Sequence, residues 1–480
     1  MWQRLVHVCR RWRCVVFGSP LRLNLRLVCT STTPARNILD IWPPLPLYIS
    51  CPYTREDSAD NVVAVLERSN RVYQIDLGYF SSLDFEKFWA AMEVPFPELT
   101  DLSLVSNEKS VQVLPDSFLG GSAPHLGTLG LRGIPFPGLP KLLLSTTHLV
   151  NLCLSNIPHS GYFSPEAVVT ALSTLNRLDQ LWLEFQSPLS RPGRRPPPPT
   201  RFVLPALTEF RFKGDIEYLE DLVARVDAPR LGKLRTTVFN QIIFDVPQFI
   251  QFISRIPTLR TPKEAHVIFG DGASRVCFSS QTYAYNCFDV VIPCKELDWQ
   301  VSSLEQVFTS CLPHLSTLEG LFIVSPRGWR PDWQDNVENR LWLELLLPFT
   351  TVKNLHISEE FARRIVPALQ ELVEDRRIEV LPALENVFLE GLEPSSGPVE
   401  KGIGQFVAMR EVTGHSVAVT RTEKKEHPPF PLPPLPSLIQ PLQEGRRRLT
   451  PETNSPHLRN KLLGLKKTYL RLAAVANRYK

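Results

Sequence analysis

The chain has 480 residues, 43% of them hydrophobic and 21% charged, with a formal net charge of +4 at pH 7. That balance supports one large or two moderate cores and excludes global disorder. No run approaches the roughly 20 uninterrupted apolar residues that span a bilayer. The nine cysteines are scattered without a C-x-x-C pair, which argues against a disulfide framework or zinc knuckle and suits a reducing, cytoplasmic or nuclear, compartment.

In chain order, the first predicted element is a helix. Leu5, Val8, Cys9, Trp12, Val15 and Val16 recur at spacings of three and four, while Arg4, Arg10, Arg11 and Arg13 fall mostly elsewhere. The apolar stripe either caps the end of the following domain or meets a partner helix. Arginines interrupt the run and no small-residue cleavage site follows it, which argues against a signal peptide.

The body is self-similar. The pattern L-x-x-L-x-L, with other apolar residues tolerated, starts at Leu99, Leu126, Leu149, Leu178 and Leu207, at intervals of 27, 23, 29 and 29 residues. It returns at Leu315, Val352 and Leu384. Those intervals lie at or near the roughly 20 to 29 residues of leucine-rich repeats. The last two apolar residues of each unit alternate with outward ones on a short strand, and the first packs one layer back. A single unit cannot bury that face, but a stack can. The rival reading is an ordinary α/β domain in which frequent leucine produces the pattern by accident.

Helical patterns lie between the strands. Ser164-Pro165-Glu166 reads as an N-cap, a proline at the first helical position and an early acid. Further helices are expected over 247–256, 303–311, 336–347 and 359–375. Proline introduces several strands, as at Pro97, Pro124, Pro205, Pro229, Pro313 and Pro382, where it stops a helix and favours extended backbone. From Arg260 to Trp299, three strand-like runs alternate without the leucine signature, and Gly270-Asp271-Gly272 reads as a hairpin turn between the first two.

Proline concentrates at 191–201 and 427–436. The second stretch reads as a semi-rigid linker or, at Lys425-x-x-Pro428-x-x-Pro431, as an SH3-type ligand. After it, Leu458, Leu462, Leu465, Tyr469, Leu472, Ala476 and Tyr479 form a helical seam beside many Lys and Arg residues. That helix would meet a partner helix or itself, an anionic membrane, or nucleic acid. Nucleophile-elbow, zinc-protease and phosphate-loop signatures are missing, so the expectation is a non-catalytic protein without a metal or cofactor.

Trp2 to Pro20, reading WQRLVHVCRRWRCVVFGSP, resembles the second half of an F-box: Val8, Cys9, Arg10, Trp12, Arg13 and Pro20 match its V-C-R-x-W-R core and following proline in order. The family's opening Leu-Pro and acidic first helix would lie ahead of Met1. With the segment Ile41-Trp42-Pro43-Pro44-Leu45-Pro46, the irregular leucine-rich body and the closing stretch from Ala383 to His415, the chain resembles the fungal F-box and leucine-rich-repeat-like proteins over about residues 1–421. The resemblance implies a substrate-recognition subunit of a Skp-cullin-F-box ubiquitin ligase. In that reading Leu5, Val8, Cys9, Trp12, Val16 and Pro20 face the Skp-type adaptor, and an unknown protein target is held by the solenoid. The alternative is a leucine-rich interaction scaffold without ligase docking.

The expected architecture is therefore an α/β, irregular leucine-rich-repeat-like solenoid. A partial F-box-like segment occupies 1–50, the solenoid 51–421, a Pro-rich linker 422–445 and a basic amphipathic helix 446–480. Outward strand positions supply the recognition surface: Cys153, Trp182, Glu184, Arg211, Lys213, His356, Phe388 and Glu390. Of these, Trp182, Arg211, Lys213, His356 and Phe388 are the expected target-binding residues. Trp182 and Phe388 stand out, because a large aromatic on a concave sheet serves as a binding anchor unless a loop covers it.

Overall fold

The computed structural model describes residues 9–17, 25–51, 56–78, 85–106, 112–188, 200–239, 246–270, 272–280, 287–311, 313–324, 337–375, 380–391 and 397–422. The chain divides into two units, Met1–Pro434 and Leu435–Lys480. The second unit, and with it the expected basic helix and most of the Pro-rich linker, lies outside the described residues.

Eighteen strands are described. In chain order they begin with β1 (Leu25–Val28), β2 (Leu47–Cys51), β3 (Val72–Gly78), β4 (Asp101–Val105), β5 (Thr128–Arg132) and β6 (Asn151–Ile157). Next come β7 (Gln180–Phe185), β8 (Phe202–Val203), β9 (Glu209–Gly214), β10 (Val226–Asp227), β11 (Lys233–Val238) and β12 (Glu264–Phe269). The last six are β13 (Ala273–Ser279), β14 (Cys287–Pro293), β15 (Gly320–Val324), β16 (Asn354–Ser358), β17 (Asn386–Glu390) and β18 (Ala418–Thr422). Sixteen of them form one sheet in the order β1-β2-β3-β4-β5-β6-β7-β9-β11-β14-β13-β12-β15-β16-β17-β18, while β8 and β10 pair separately.

Nearly sequential strand order with parallel pairing requires each connection to cross back over the same face, and parallel crossovers share one hand. The intervening helices accordingly pack on their neighbours in succession, as Pro165–Leu172 does on Ile216–Val223 and Glu359–Asp375 on Gly397–Val412. One repeat shows why the leucines recur. Leu152 and Leu154 point from β6 to the helical side and are 2% and 4% exposed, and Leu149 is buried just before the strand. Leu102 and Leu104, Leu129 and Leu131, Leu181 and Leu183, Phe210 and Phe212, and Leu355 and Ile357 repeat that placement.

Many of the parallel repeats are joined at the strand entry by one carbonyl that accepts two successive N–H groups of the next unit. Gly127 O accepts from Val150 and Asn151, Val150 O from Asp179 and Gln180, and Asp179 O from Thr208 and Glu209. Lys263, Glu319 and Lys353 do the same further along. This shared acceptor satisfies the backbone where the chain turns into the strand. The expected cap is also formed: Ser164 Oγ accepts from Ala167 N at 3.2 Å, with Pro165 at the first helical position.

The leucine-poor middle is a reversed insertion. After the helix Pro247–Ser254, β12 lands two strands beyond the position beside β11, and β13 and β14 run back to fill the gap. β13 pairs antiparallel with both neighbours, while β14 is parallel to β11 and β12 is parallel to β15. The expected turn closes through Gly270 N to Ala273 O at 2.9 Å. Gln300, fully buried, donates its amide to Gly270 O and Cys294 O, each at 2.8 Å, and so ties the turn to the end of β14.

Three expectations change. Among the described residues the sheet already includes β1 from Leu25, so residue 51 does not mark its start; β1 and β2 carry too little of the leucine signature to be read as repeats. The helix expected from Ser303 begins at Leu297, and that expected from Asn336 at Asn339. The final strand, β18, pairs parallel with β17 in a register that puts Thr420 beside Phe388.

Candidate functional site

Over much of its length the face of the sheet opposite the helices is half-exposed, because alternation sends every second side chain there, although Ser103 on β4 and Asp289 on β14 are buried on it. On β7, β9 and β12 the pattern alternates without a break between half-buried and buried residues. The central outward residue of each repeat, the x of L-x-L, falls into register with its neighbours. The line runs from Cys153 through Trp182, Arg211 and Arg235 to Asp289. It continues through Cys277, His266, Phe322 and His356 to Phe388.

Two chemically distinct stretches share that line. In the first, the Arg211 guanidinium lies 3.8 Å from the centroid of the Trp182 ring, a cation–π contact. Arg211 Nε donates to Glu209 Oε1 at 2.6 Å, which fixes the guanidinium over the ring. Burial pushes Glu184 above the usual carboxylate range against the pull of Lys213 and Arg211. Burial also raises the Cys153 thiol to about 12, so it is a neutral thiol at neutral pH.

Beyond Arg211 the insertion contributes a clamped carboxylate. Asp289, 1% exposed, accepts from Arg235 Nε at 3.0 Å and from Arg275 at 2.7 Å, both on Oδ2. Arg235 comes from β11 and Arg275 from β13, so the trio bridges all three strands where parallel pairing meets antiparallel pairing.

The second stretch is a stack of rings. His266 and Phe322 have centroids 4.3 Å apart with planes 10° from parallel. Phe322 and His356 follow at 4.1 Å and 12°, and His356 and Phe388 at 4.3 Å and 9°. One ring per strand at the same register position produces the stack, since neighbouring parallel strands lie about 4.8 Å apart. His356 is thus part of an aromatic ladder rather than an isolated polar strand residue.

The expected target-binding residues therefore fall into two groups. Trp182, Arg211 and Lys213 lie on adjacent strands β7 and β9, and His356 and Phe388 on adjacent strands β16 and β17. Seven strand positions separate Trp182 from His356, on the order of 34 Å along the sheet. Trp182 and Phe388 are half-buried by their ladder neighbours rather than fully exposed. Sequence reasoning missed Arg235, Asp289, His266 and Phe322. The signal was present, because each is the central outward residue of its strand; Phe322 sits in a complete Leu318, Leu321, Ile323 unit that was framed three residues early, from Leu315, while β11 and the insertion lack the full leucine pattern.

Of the expected adaptor-facing residues, Cys9 and Trp12 are described. Trp12 belongs to the helix Arg10–Phe17 and is 49% exposed, and Cys9 just before it is also exposed. Those two side chains therefore do not cap the solenoid core. Val16 lies in the same helix, while Leu5, Val8 and Pro20 lie outside the described residues. Among the described residues, no helix is long and apolar enough to cross a membrane.

No protein-family model matches the chain, and no curated protein sequence does. Among solved structures, a leucine-rich repeat-containing protein from Legionella pneumophila is similar at 12% identity and a TM-score of 0.27, covering 82% of this chain and 98% of that one.

Proposed function

We propose that this chain is a protein-interaction scaffold that holds a protein target on the open strand face. The observation that carries this reading is the registered line from Trp182 to Phe388. A half-exposed row of rings and arginines is the composition that concentrates binding energy in protein interfaces. The face offers an arginine-rich stretch for acidic side chains and an aromatic stretch for apolar ones. In this reading the chain performs no chemistry on its target.

Within that reading, the finer proposal is a substrate receptor of a Skp-cullin-F-box ligase. It is supported by the V-C-R-x-W-R match and by an N-terminal helix whose Trp12 is left uncovered. The mechanism would be proximity: the helix docks the Skp-type adaptor while the solenoid presents the target. The test is binding of the purified chain to its organism's purified Skp-type adaptor, with Trp12→Ala as control. Saturable binding lost in Trp12→Ala supports the receptor. Absence of binding removes the ligase role and leaves the scaffold.

A further inference from the structure

Cys277, Cys287 and Asp289 each place a ligand-type atom within 4.8 Å of the other two, on the adjacent antiparallel strands β13 and β14. Two thiols and a carboxylate at that spacing suit a thiophilic divalent metal, but the carboxylate is already engaged. Its Oδ2 accepts from Arg235 and Arg275, and Oδ1 faces Arg275 Nε at 3.4 Å. Two guanidinium groups against one carboxylate leave a positive charge in excess, which opposes a cation and favours an anion at the thiols.

Cys287 is placed to become that anion. It is half-buried, whereas Cys277 is buried. The Cys277 thiol donates to the Cys287 sulfur and, with help from Arg235 and Arg275, holds its pKa below the ordinary thiol value against burial and Asp289. The same hydrogen bond, then burial, pushes Cys277 well up. A thiolate with a protonated thiol in contact is the arrangement of an attacking and a resolving cysteine.

Cys277 pairs in register with Asp289, and Cys287 with Ser279, so the two thiols are diagonal neighbours. Diagonal Cα atoms are about 7–8 Å apart, whereas a disulfide prefers about 4.4–6.8 Å. Closing the bond therefore draws the strands together locally, and a bridge of that kind is readily reduced. Both cysteines are free thiols in the structure.

We propose that Cys277 and Cys287 form a reversible dithiol–disulfide switch on the open face, closed by peroxide-class oxidants and reopened by thiol reductants. The Cys287 thiolate attacks one peroxide oxygen, the O–O bond breaks, and hydroxide leaves, giving the Cys287 sulfenic acid. The Cys277 sulfur then attacks the Cys287 sulfur. The S–S bond forms as the S–O bond breaks, and the hydroxyl leaves with the Cys277 proton as water. Two thiols are oxidised and one peroxide is reduced. The switch stands on its own geometry and does not depend on what the face binds.

The chain is suited to a direct test. Trypsin cuts after Arg275 and Lys295, so Cys277, Cys287 and Cys294 arrive in one peptide. The reduced full-length protein is exposed to hydrogen peroxide, blocked with maleimide in denaturant, digested and sequenced by mass spectrometry. The expected peptide is lighter by two hydrogens, carries a single maleimide on Cys294, and reverts with dithiothreitol. Bridging is faster in the native protein than in urea, and Cys277→Ser instead leaves a Cys287 sulfenic acid captured by dimedone. The proposal is overturned by three maleimides on that peptide after a dose that oxidises glutathione in the same tube. A bond to Cys294, or equal rates in urea, overturns it as well. Mapping of the wild-type peptide decides the matter even where a serine variant fails to fold.

Discussion

Replacing Asp289 by Asn removes one charge from the most buried ionic group of the open face while leaving its volume unchanged. In the native protein Asp289 is 1% exposed and holds two guanidinium groups, whose side chains are 27% and 19% exposed for Arg235 and Arg275. Removing one partner of a buried pair costs about 3–5 kcal/mol. Both arginines keep access to water, and Asn still offers one oxygen, so the expected loss falls to about 1–3 kcal/mol. The assay is urea unfolding followed by fluorescence, comparing midpoints at constant slope. It is paired with hydrogen exchange read on peptides from β13 and β14. The account predicts a lower midpoint and faster exchange concentrated in those two strands and β11. A loss under about 0.5 kcal/mol, the range of ordinary surface changes, would refute the claim that the trio pins the reversed insertion. So would a loss spread evenly over all repeats.

Two further outcomes follow from the same placements. Leu152→Ala empties a fully packed position and should cost about 2–5 kcal/mol, whereas Cys153→Ser, on the half-buried open face, should cost far less; equal losses in thermal unfolding would deny the assigned alternation. Burial raises the Glu184 pKa in the folded state, so its ionisation weakens the fold as pH rises from the unfolded value of a Glu through the raised folded one. Glu184→Gln should therefore flatten the fall of the urea midpoint across that window, and an unchanged slope would remove Glu184 as its cause.

The repeat frame was legible in the sequence wherever two inward leucines flank one outward residue. That pattern carries its own period, and strands such as β6 and β7 begin two residues after its first leucine. The helix Glu359–Asp375 was equally plain, because its apolar stripe is long and its first turn acidic. What stayed hidden was order in space. The runs at 264–269, 273–279 and 287–293 alternate like any strands, and nothing local in them says that the chain lands two strands ahead and then works back. Only long-range pairing fixes that, through the clamp on Asp289 and the Gln300 bonds to the turn. The aromatic ladder was half legible for a related reason. His356 and Phe388 stood in recognised repeats, but the repeat of Phe322 was framed from Leu315 and Leu318 rather than from Leu318, Leu321 and Ile323, and His266 lies in the insertion. Trp182 was found and its exposure overestimated, because Arg211 from the next strand covers its ring.

Recognition on the open strand face is what the proposed scaffold role requires. The most direct measurement compares the proteins captured by the wild-type chain, by a Trp182→Ala/Phe388→Ala variant, and by a Glu371→Ala/Lys401→Ala variant changed on exposed helical positions, once all three show the same thermal transition. The account predicts a partner set shared by wild type and the helix variant and lost from the open-face variant. Partners retained by the open-face variant, or lost only from the helix variant, would contradict it.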